Sequence, residues 1–537
     1  MLEEKDSSLY WGSLKRNSTF SLPCSFFKGT GDIPYVSLPS FLSDCFNAVA
    51  MGGKEVFVAN GSRAVNSCTM SSFVFDVENN VLKCDDLDQA LNYSGYSCLS
   101  FDALNLAKNA NAKIVESRCS RKKGKAISFD LDRYNVFLIE FEGEVYAPLA
   151  FFDALFLSPL GKRVCWNGGD FYLDSLSSMV KEDGSLNAYG SSFYGGSLLA
   201  ERSQASADLF YGLFLFQMEN FYGKDGGLSF DLDAKLSEEG LKEKLLSSDR
   251  EEANDALASS LASLFGDGGN TLFLHSGLAR GYDPVKDASL AEETLSHDEK
   301  YASSEAASLR LKALRGNESS KLLIQGETAF FRLDSFSWNK NGESPSAKNV
   351  STDETSTFAF LYKSFQGIEG KGIKNVVLDL TLNRGGEIGA MGEALSFLTD
   401  EDLEIHSKNA LTGGESTEFA QYDTDLDGSC KDKDSYAGKY SFYVLISSAT
   451  YSLGSLFASL CAEKGYAKVL GEKSSGGSYL PWEGISLDGA SWSFSSFDAI
   501  VSKDGGSFDG GAAPDHVLEE GRFYDLAYLD SYLSGLA

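Results

Sequence analysis

The chain has 537 residues, 43% of them hydrophobic, and it carries a net charge of −30 with an isoelectric point near 4.5. This length predicts about two to four domains, and the hydrophobic fraction is ample for buried cores. The strong negative charge argues against nucleic acid or an anionic membrane surface as a partner.

Cysteine and histidine usage predicts no metal cofactor. The chain has nine cysteines, of which no two have the C-x-x-C spacing, and its four histidines are scattered. The odd number and irregular spacing of the cysteines do not describe a disulfide scaffold. We therefore expect no zinc site and no cofactor.

Residues 1–175 are predicted to form a β-rich α+β domain. Tyr35–Phe41 and Tyr146–Phe152 share the pattern of a short strand that leads into a helix, with Tyr, Leu and Phe at matching offsets. This duplicated strand–turn–helix unit resembles the N-terminal-type domain of copper amine oxidases, although no residues here have copper-ligand spacing. A β domain particular to this protein is an equally good interpretation.

The middle of the chain is predicted to be a linker followed by helices. Residues 176–204 are rich in Ser and Gly, which is typical of a linker. Residues 205–325 form the next predicted unit, a helical bundle and connector. In it, helical spacing of apolar residues continues through Leu236–Leu246 and Ala253–Phe265.

The most informative stretch is Tyr440–Gly477, which lies within the last predicted domain, residues 326–537. An apolar run at Phe442–Ile446 predicts a buried parallel strand, and Leu453–Glu463 predicts the helix after it. A second strand is predicted over Ala467–Leu470. Together they form one right-handed crossover unit of an α/β sheet.

Two side chains of this unit are candidates for catalysis. Ser452 lies on the turn that enters the predicted helix, and Lys473 lies just after the second strand. Both positions fall at the carboxyl edge of the sheet, where parallel sheets bind ligands. A neutral, buried lysine can act as the base that activates a serine. The alternative is that Ser452 caps the helix and Lys473 is a solvated loop residue.

Four blocks in order strengthen the catalytic interpretation: VVLDLTLNRGGEIG from residue 376, FYVLISSATYSLGSLFASL from 442, VLGEKSSGG from 469 and GGAAPDHVL from 510. The chain from about residue 200 onward resembles the carboxyl-terminal processing (tail-specific) serine peptidases, the lineage of the tricorn core and the retinoid-binding-protein repeats. The resemblance implies a ClpP/crotonase-like α/β core preceded by a helical bundle.

Acyl transfer also needs donors for an oxyanion. The backbone N–H groups of Leu453 and Gly386 are the predicted pair, because glycine at 385 and 386 lets the backbone approach a substrate closely. Gly385 and Arg384 are predicted substrate-binding residues, with Arg384 meeting a substrate carboxylate.

The chain departs from the pattern that the resemblance implies. Asn270 stands where the tricorn branch has a catalytic histidine, so His275 is the fallback base beside Lys473. Residues 277–321 are too few for the PDZ module of tail-specific peptidases, and Leu453-Gly454-Ser455 differs from the usual residues after the nucleophile. A strict preference for protein C-termini is therefore not expected.

An acidic stretch has the spacing of a calcium-binding loop. Asp423, Asp425 and Asp427 alternate, Gly428 follows, and Asp434 is twelfth in the series. Lys431 and Lys433 dilute its charge, so an acidic turn without metal is the favoured interpretation.

The sequence thus predicts a serine endopeptidase with a Ser452–Lys473 dyad that acts on polypeptides. The alternative is a binding protein for a peptide or apolar ligand on the same scaffold. No membrane span is expected, since the most apolar stretch, Val136–Leu160, carries four acidic residues. The first residues do not resemble a signal peptide, and an extracytoplasmic location is expected from the relatives alone.

Overall fold

The computed structural model describes residues 3–11, 20–92, 111–168, 170–175, 201–265, 273–274, 299–316, 319–341, 343–430 and 434–536. Most of the predicted linker, together with Asn270, His275, Lys431 and Lys433, lies outside the described residues.

The strands, in chain order, are β1 Glu3–Trp11, β2 Phe20–Phe26, β3 Tyr35–Ser37, β4 Phe57–Asn60, β5 Arg63–Asn66, β6 Ser72–Asp76, β7 Val81–Cys84, β8 Ala112–Ile114, β9 Ser120–Lys122, β10 Ile127–Asp130, β11 Ile139–Phe141, β12 Glu144–Pro148, β13 Lys162–Trp166, β14 Phe171–Ser175, β15 Phe273–Leu274, β16 Leu322–Gln325, β17 Thr328–Arg332, β18 Asn375–Asp379, β19 Leu403–Asn409, β20 Glu415–Tyr422, β21 Ser441–Ile446, β22 Lys468–Gly471, β23 Tyr479–Ile485, β24 Ser491–Val501 and β25 His516–Val517.

The α-helices are α1 Leu38–Ser40, α2 Leu87–Ala90, α3 Leu149–Phe152, α4 Gln204–Phe221, α5 Leu232–Glu238, α6 Lys242–Leu245, α7 Arg250–Leu264, α8 Glu299–Arg315, α9 Thr357–Ile368, α10 Ile388–Ser396, α11 Leu453–Lys464 and α12 Leu526–Ser534. Helices α1 and α3 continue as π-helices over Phe41–Ala50 and Asp153–Leu157.

The sheet that carries the predicted site has the order β16-β17-β18-β21-β22-β25. Neighbouring strands in this sheet run parallel to each other, except for the antiparallel β16–β17 pair. Successive side chains of its strands point alternately into two apolar layers. Val376 and Leu378 face one layer, and Val377 faces the other. Helices α9, α10 and α11 cover the first face, while α8 and α12 cover the second. The predicted α/β class is confirmed, and burial on both faces explains the continuous apolar runs in these strands.

The N-terminal half contains two further sheets, with the orders β11-β12-β3-β2-β1-β14-β13 and β10-β7-β6-β5-β4. The two strand–turn–helix units found in the sequence lie side by side, since β3 pairs antiparallel with β12. The rings of Phe41 and Phe152, at matching positions of the two units, stack 5.0 Å apart.

An antiparallel sheet joins the two halves of the chain. Its order is β15-β24-β19-β20-β8, with β23 on β24 and β9 on β20. The β23–β24 hairpin places Trp482 and Trp492 in the same apolar cluster as α4, α7 and the N-terminal sheets. The predicted boundaries at residues 175 and 326 therefore divide segments that pack into shared sheets and a shared core.

Helix α4 is buried around most of its circumference because it packs between the N-terminal sheets and this hairpin. The helix predicted over Leu236–Leu246 is instead two short helices, α5 and α6. Gly240, with φ 67°, ends the first in the left-handed conformation.

Candidate functional site

The turn that carries Ser452 connects β21 to α11 and is fixed to the neighbouring strand. The Ser447 hydroxyl donates to the Thr381 carbonyl oxygen at 2.6 Å, and the Thr450 hydroxyl donates to the Leu380 carbonyl oxygen at 2.7 Å. Both contacts are buried. The turn is therefore held at the carboxyl edge of the parallel sheet, as the crossover pattern predicts.

Ser452 has a strained backbone and a side chain that does not cap its helix. Its φ is 52° and its ψ is −127°, a conformation that non-glycine residues rarely adopt. Although it occupies the N-cap position of α11, its hydroxyl makes no capping hydrogen bond. The half-buried side chain is thus left for another role, and strain of this kind is typical of functional residues.

The Gly385–Gly386 turn requires glycine. Both residues have positive φ, 113° and 135°. Phe336 locks the turn, since its N–H donates to the Gly385 carbonyl oxygen and its carbonyl oxygen accepts from the Glu387 N–H, both at 2.9 Å. A Cβ at position 386 would lie 2.0 Å from the Phe336 carbonyl oxygen, so no side chain fits.

This turn lies directly against Ser452. A Cβ placed on Gly385 would be 3.2 Å from the Ser452 Oγ and 3.4 Å from the Leu453 nitrogen. Within the described part of the chain, the N–H groups of Gly386 and Leu453 donate to no protein acceptor. Two N–H groups without a protein acceptor among the described residues therefore lie in the segments next to Ser452. Leu453 follows it directly, at the positive end of the α11 dipole, and Gly386 follows Gly385 in the turn that lies against it.

The structure does not bring Lys473 to Ser452. The Lys473 side chain is exposed, and the contacts among described residues include no hydrogen bond between its Nζ and Ser452. The next residue, Ser474, points inward, where its Oγ lies 2.8 Å from the Ser455 Oγ and accepts from the Ala512 N–H. Lys473 therefore faces solvent while the next residue faces the interior.

The loop passes Ser452 at Gly476 and Gly477 instead. The Ser452 N–H donates to the Gly476 carbonyl oxygen at 2.7 Å. A Cβ on Gly477 would lie 3.2 Å from the Ser452 Cα. The burial that the Ser452–Lys473 prediction needs is therefore absent for Lys473 in this conformation.

Arg384 already has an ion-pair partner within the protein. Its guanidinium forms an ion pair with Glu305 on α8, and the two side chains are 23% and 40% exposed. Ser304, beside Glu305, donates to the Ala449 carbonyl oxygen at 3.3 Å. Helix α8 thus contacts both the turn that carries Arg384 and the turn before Ser452, and a carboxylate ligand would have to displace Glu305 to reach Arg384.

The acidic loop brings three of its four predicted carboxylates together. Oxygens of Asp423, Asp425 and Asp434 lie within 4.8 Å of one another, whereas Asp427 is not part of that group. The Asp423 carboxylate accepts from the N–H groups of Asp427 and Gly428 at 3.1 and 2.8 Å. These bonds hold the first part of the loop in a tight turn around the most buried of the three carboxylates.

Sequence reasoning missed Asn383, which is fully buried between the two active-site turns. Its side-chain oxygen accepts from the Gly385 N–H at 2.8 Å. The available signal was a polar residue between a buried strand and a glycine pair, where a side chain can fix the turn.

Among the described residues, no helix combines the length and apolar character that crossing a bilayer requires.

The family model of peptidase family S41 matches residues 328–518. This stretch contains Ser452, Lys473 and the glycine turn, and it coincides with the sheet of β17, β18, β21 and β22. The family resemblance and the ClpP/crotonase-like core predicted from the sequence are confirmed for this part of the chain. No curated protein matches the chain significantly.

Solved structures with a similar fold include three of low sequence identity. The photosystem II D1 C-terminal processing protease is 20% identical over 38% of this chain, with a TM-score of 0.28, and only 46% of its own length is covered. A putative peptidase from Parabacteroides merdae is 18% identical over 61% of this chain and 96% of its own, with a TM-score of 0.43. A lipoprotein from Streptococcus agalactiae is 14% identical over 63% of this chain and 99% of its own, with a TM-score of 0.36.

Proposed function

Because residues 328–518 match peptidase family S41, we propose that the chain is a serine peptidase that hydrolyses peptide bonds of polypeptide substrates. The observation that carries the proposal is the placement of Ser452. Its backbone is strained and its hydroxyl makes no capping hydrogen bond. The Gly385–Gly386 turn lies against it, and the N–H groups of Gly386 and Leu453 have no protein acceptor among the described residues.

In the proposed reaction, the Ser452 Oγ attacks the substrate carbonyl carbon and forms a C–O bond. The carbonyl oxygen becomes an oxyanion that accepts hydrogen bonds from the Gly386 and Leu453 N–H groups. The base takes the Ser452 proton during the attack and delivers it to the leaving nitrogen. Collapse of the intermediate then breaks the C–N bond, releases the amine and leaves an ester on Ser452, which water hydrolyses to free the acid and restore the hydroxyl. One donor of this kind contributes about 3–4 kcal/mol to the transition state.

The proton of Ser452 needs an acceptor, for which the sequence supplies two candidates. Lys473 remains the predicted base, but a lysine amine becomes basic at neutral pH through burial, and this side chain is exposed. His275 is the fallback and lies outside the described residues. The exposure of Lys473 is also the one observation that favours the alternative function, a peptide-binding or apolar-ligand-binding protein on the same scaffold.

Labelling with a fluorophosphonate distinguishes these possibilities. We expect wild type to form an adduct on Ser452 and S452A to form none. The matched control is S455A, which removes a hydroxyl three residues along the same helix, where Ser455 contacts Ser474. Loss of labelling in K473M with retention in H275A would assign the base to Lys473, and the reverse would assign it to His275. Wild-type protein that stays unlabelled would contradict the peptidase proposal and support the binding protein.

Two finer proposals rest on the family resemblance: processing of protein C-termini and an extracytoplasmic location. Cleavage of a protein whose C-terminal residues are varied tests the first, because a C-terminal processing enzyme depends on them. Fractionation of cells that make the full chain tests the second. Equal cleavage of every C-terminus, or recovery only from the cytoplasm, would contradict the respective proposal.

A further inference from the structure

The carboxamide of Asn383 bridges two backbone segments beneath the catalytic turns. Its Nδ2 donates to the Leu333 carbonyl oxygen at 2.8 Å, at the end of β17. Its Oδ1 accepts from the Gly385 N–H, also at 2.8 Å. The side chain is fully buried, so water does not compete for either bond.

The backbone of Asn383 is bonded as well. Its N–H donates to the Leu380 carbonyl oxygen at 2.9 Å, and its carbonyl oxygen accepts from the Tyr451 N–H at 3.0 Å. Asn383 therefore touches the turn of the oxyanion donor on one side and the turn of the nucleophile on the other.

The first turn of α11 packs onto the same residue. A Cβ on Gly454 would lie 2.5 Å from the Asn383 carbonyl oxygen and 2.7 Å from its Oδ1. Glycine at position 454 thus lets the helix, with the Leu453 N–H at its start, approach the carboxamide at close range.

We propose that Asn383 is a positioning residue that sets the Gly386 and Leu453 N–H groups at the spacing needed to bind one oxyanion. The inference rests on the proposed peptidase function and assigns a role within the same site. Asn383 touches neither the substrate nor the reacting atoms. It acts by fixing the Gly385 peptide and the α11 start to the same buried amide.

Only an amide of this length performs both tasks. It donates to the Leu333 carbonyl and accepts from the Gly385 N–H at once, whereas aspartate can only accept. Aspartate would also place a negative charge next to the developing oxyanion and weaken its stabilisation. A displacement of about 1 Å in such a site costs roughly a hundredfold in rate.

The test compares Asn383→Ala and Asn383→Asp with wild type in the full chain. The first readout is hydrogen exchange of the peptides that contain residues 384–386 and 452–456. The second is the second-order rate constant of fluorophosphonate labelling. We expect faster exchange of both peptides in N383A, and labelling about ten- to a hundredfold slower in both variants. N383D keeps the acceptor for the Gly385 N–H. We therefore expect the fold decrease in its labelling rate to exceed the fold increase in its hydrogen-exchange rate.

Asn66→Ala is the matched control. Asn66 is also fully buried, and its carboxamide donates to the Ala90 carbonyl oxygen at 3.2 Å and accepts from the Cys68 N–H at 3.0 Å. It lies in the five-stranded N-terminal sheet. We expect both N66A and N383A to lower the melting temperature. N66A should nevertheless be labelled at the wild-type rate.

Three results separate the possibilities. Wild-type labelling and exchange in N383A and N383D would overturn the positioning role. Slowed labelling in N66A equal to that in N383A would also overturn it, because the effect would then follow stability alone. If wild type is not labelled at all, the peptidase proposal fails, while coupled exchange of the two peptides in N383A still measures whether Asn383 holds the two turns.

Discussion

The N–H of Ser452 donates to the carbonyl oxygen of Gly476 at 2.7 Å. Through this bond the loop after β22 contacts Ser452, the proposed nucleophile, at its glycine pair rather than at Lys473. Gly477 is so close that an added Cβ would lie 3.2 Å from both the Cα and the nitrogen of Ser452. Because the loop has glycine at this contact, it places no side chain against the Ser452 backbone.

A methyl group at position 477 should disturb the nucleophile. Gly477 has φ 96°, so G477A adds left-handed strain of about 1–2 kcal/mol and also presses on Ser452 and Tyr451. We expect fluorophosphonate labelling to slow about tenfold, since small displacements of a nucleophile are costly. The labelling rate and the free energy of unfolding are measured together.

The control for this variant is G505A. Gly505 has φ 80° and no atom within 4 Å of an added Cβ, so the strain is the same and the contact is absent. G505A should lose similar stability and label at the wild-type rate. Equal labelling by G477A and G505A would show that the loop does not constrain Ser452.

Local pattern predicted the catalytic crossover well. The helix expected over Leu453–Glu463 is Leu453–Lys464, and the strand expected over Phe442–Ile446 is Ser441–Ile446. Both are buried by the elements on either side, so their apolar residues carry the signal directly. The positions of Ser452 and the glycine turn follow from the ends of these elements.

Contacts between distant segments could not be predicted in this way. The β23–β24 hairpin follows the catalytic loop in sequence, yet Trp492 packs against Phe214 of α4 with ring centroids 5.9 Å apart. Strands β8 and β9 precede the bundle but pair with β20. Short strands of this kind satisfy their hydrogen bonds with whichever edge the tertiary fold presents. The exposure of Lys473 could not be read from the pattern either, because loop side chains follow tertiary contacts such as that of Ser474 with Ser455.

We expect Arg384 to contribute equally little to the binding of substrates with and without a free carboxylate. Glu305 already neutralises its guanidinium. R384Q should therefore change KM by the same factor for a peptide acid and for its amide. A KM that rises only for the acid would restore the predicted role of Arg384 in binding a carboxylate.

A buried charge network should control how the hairpin docks on the rest of the protein. Asp488, at the tip between β23 and β24, pairs with Arg202 at 3.0 Å and with Arg250, and Arg250 also pairs with Asp32 at 2.9 Å. The Asp488 side chain is fully buried. D488N leaves two buried guanidinium groups short of a counter-charge, which typically costs about 3–5 kcal/mol. Denaturant unfolding measures this loss.

The exposed pair of Lys122 and Glu415, 3.3 Å apart, provides the comparison. E415Q removes one carboxylate charge, as D488N does, but water solvates the partner that remains. We expect no measurable change in unfolding free energy for E415Q. Similar behaviour of the two variants would mean that the network around Asp488 does not hold the hairpin in place.

A second buried cluster should make stability depend on pH. Asp498 on β24 is buried, and burial raises its pKa well above the ordinary value, with the nearby Asp88 charge adding to the effect. Burial also raises the pKa of Asp88 to about 6, although Asn409 donates to it at 2.6 Å and Arg121 lies 3.5 Å away. Asp86, which pairs with Arg121, is the other charge facing the cluster.

A carboxyl group whose pKa is raised by folding contributes its full stability below the unfolded value and loses it as the pH rises through the folded value. The wild-type free energy of unfolding should therefore receive a contribution from this pair that falls as the pH rises above about 4, the ordinary pKa of an unfolded aspartate. D498N removes the charge of Asp498. The free energy of unfolding of the variant should therefore increase relative to that of wild type as the pH increases. We expect the difference in unfolding free energy between them to change in favour of D498N from pH 5 to pH 8. Guanidinium unfolding at both pH values measures this shift, and D504N, which changes an exposed aspartate nearby in sequence, should show none. A difference between D498N and wild type that is the same at pH 5 and pH 8 would mean that Asp498 does not titrate with folding in this range.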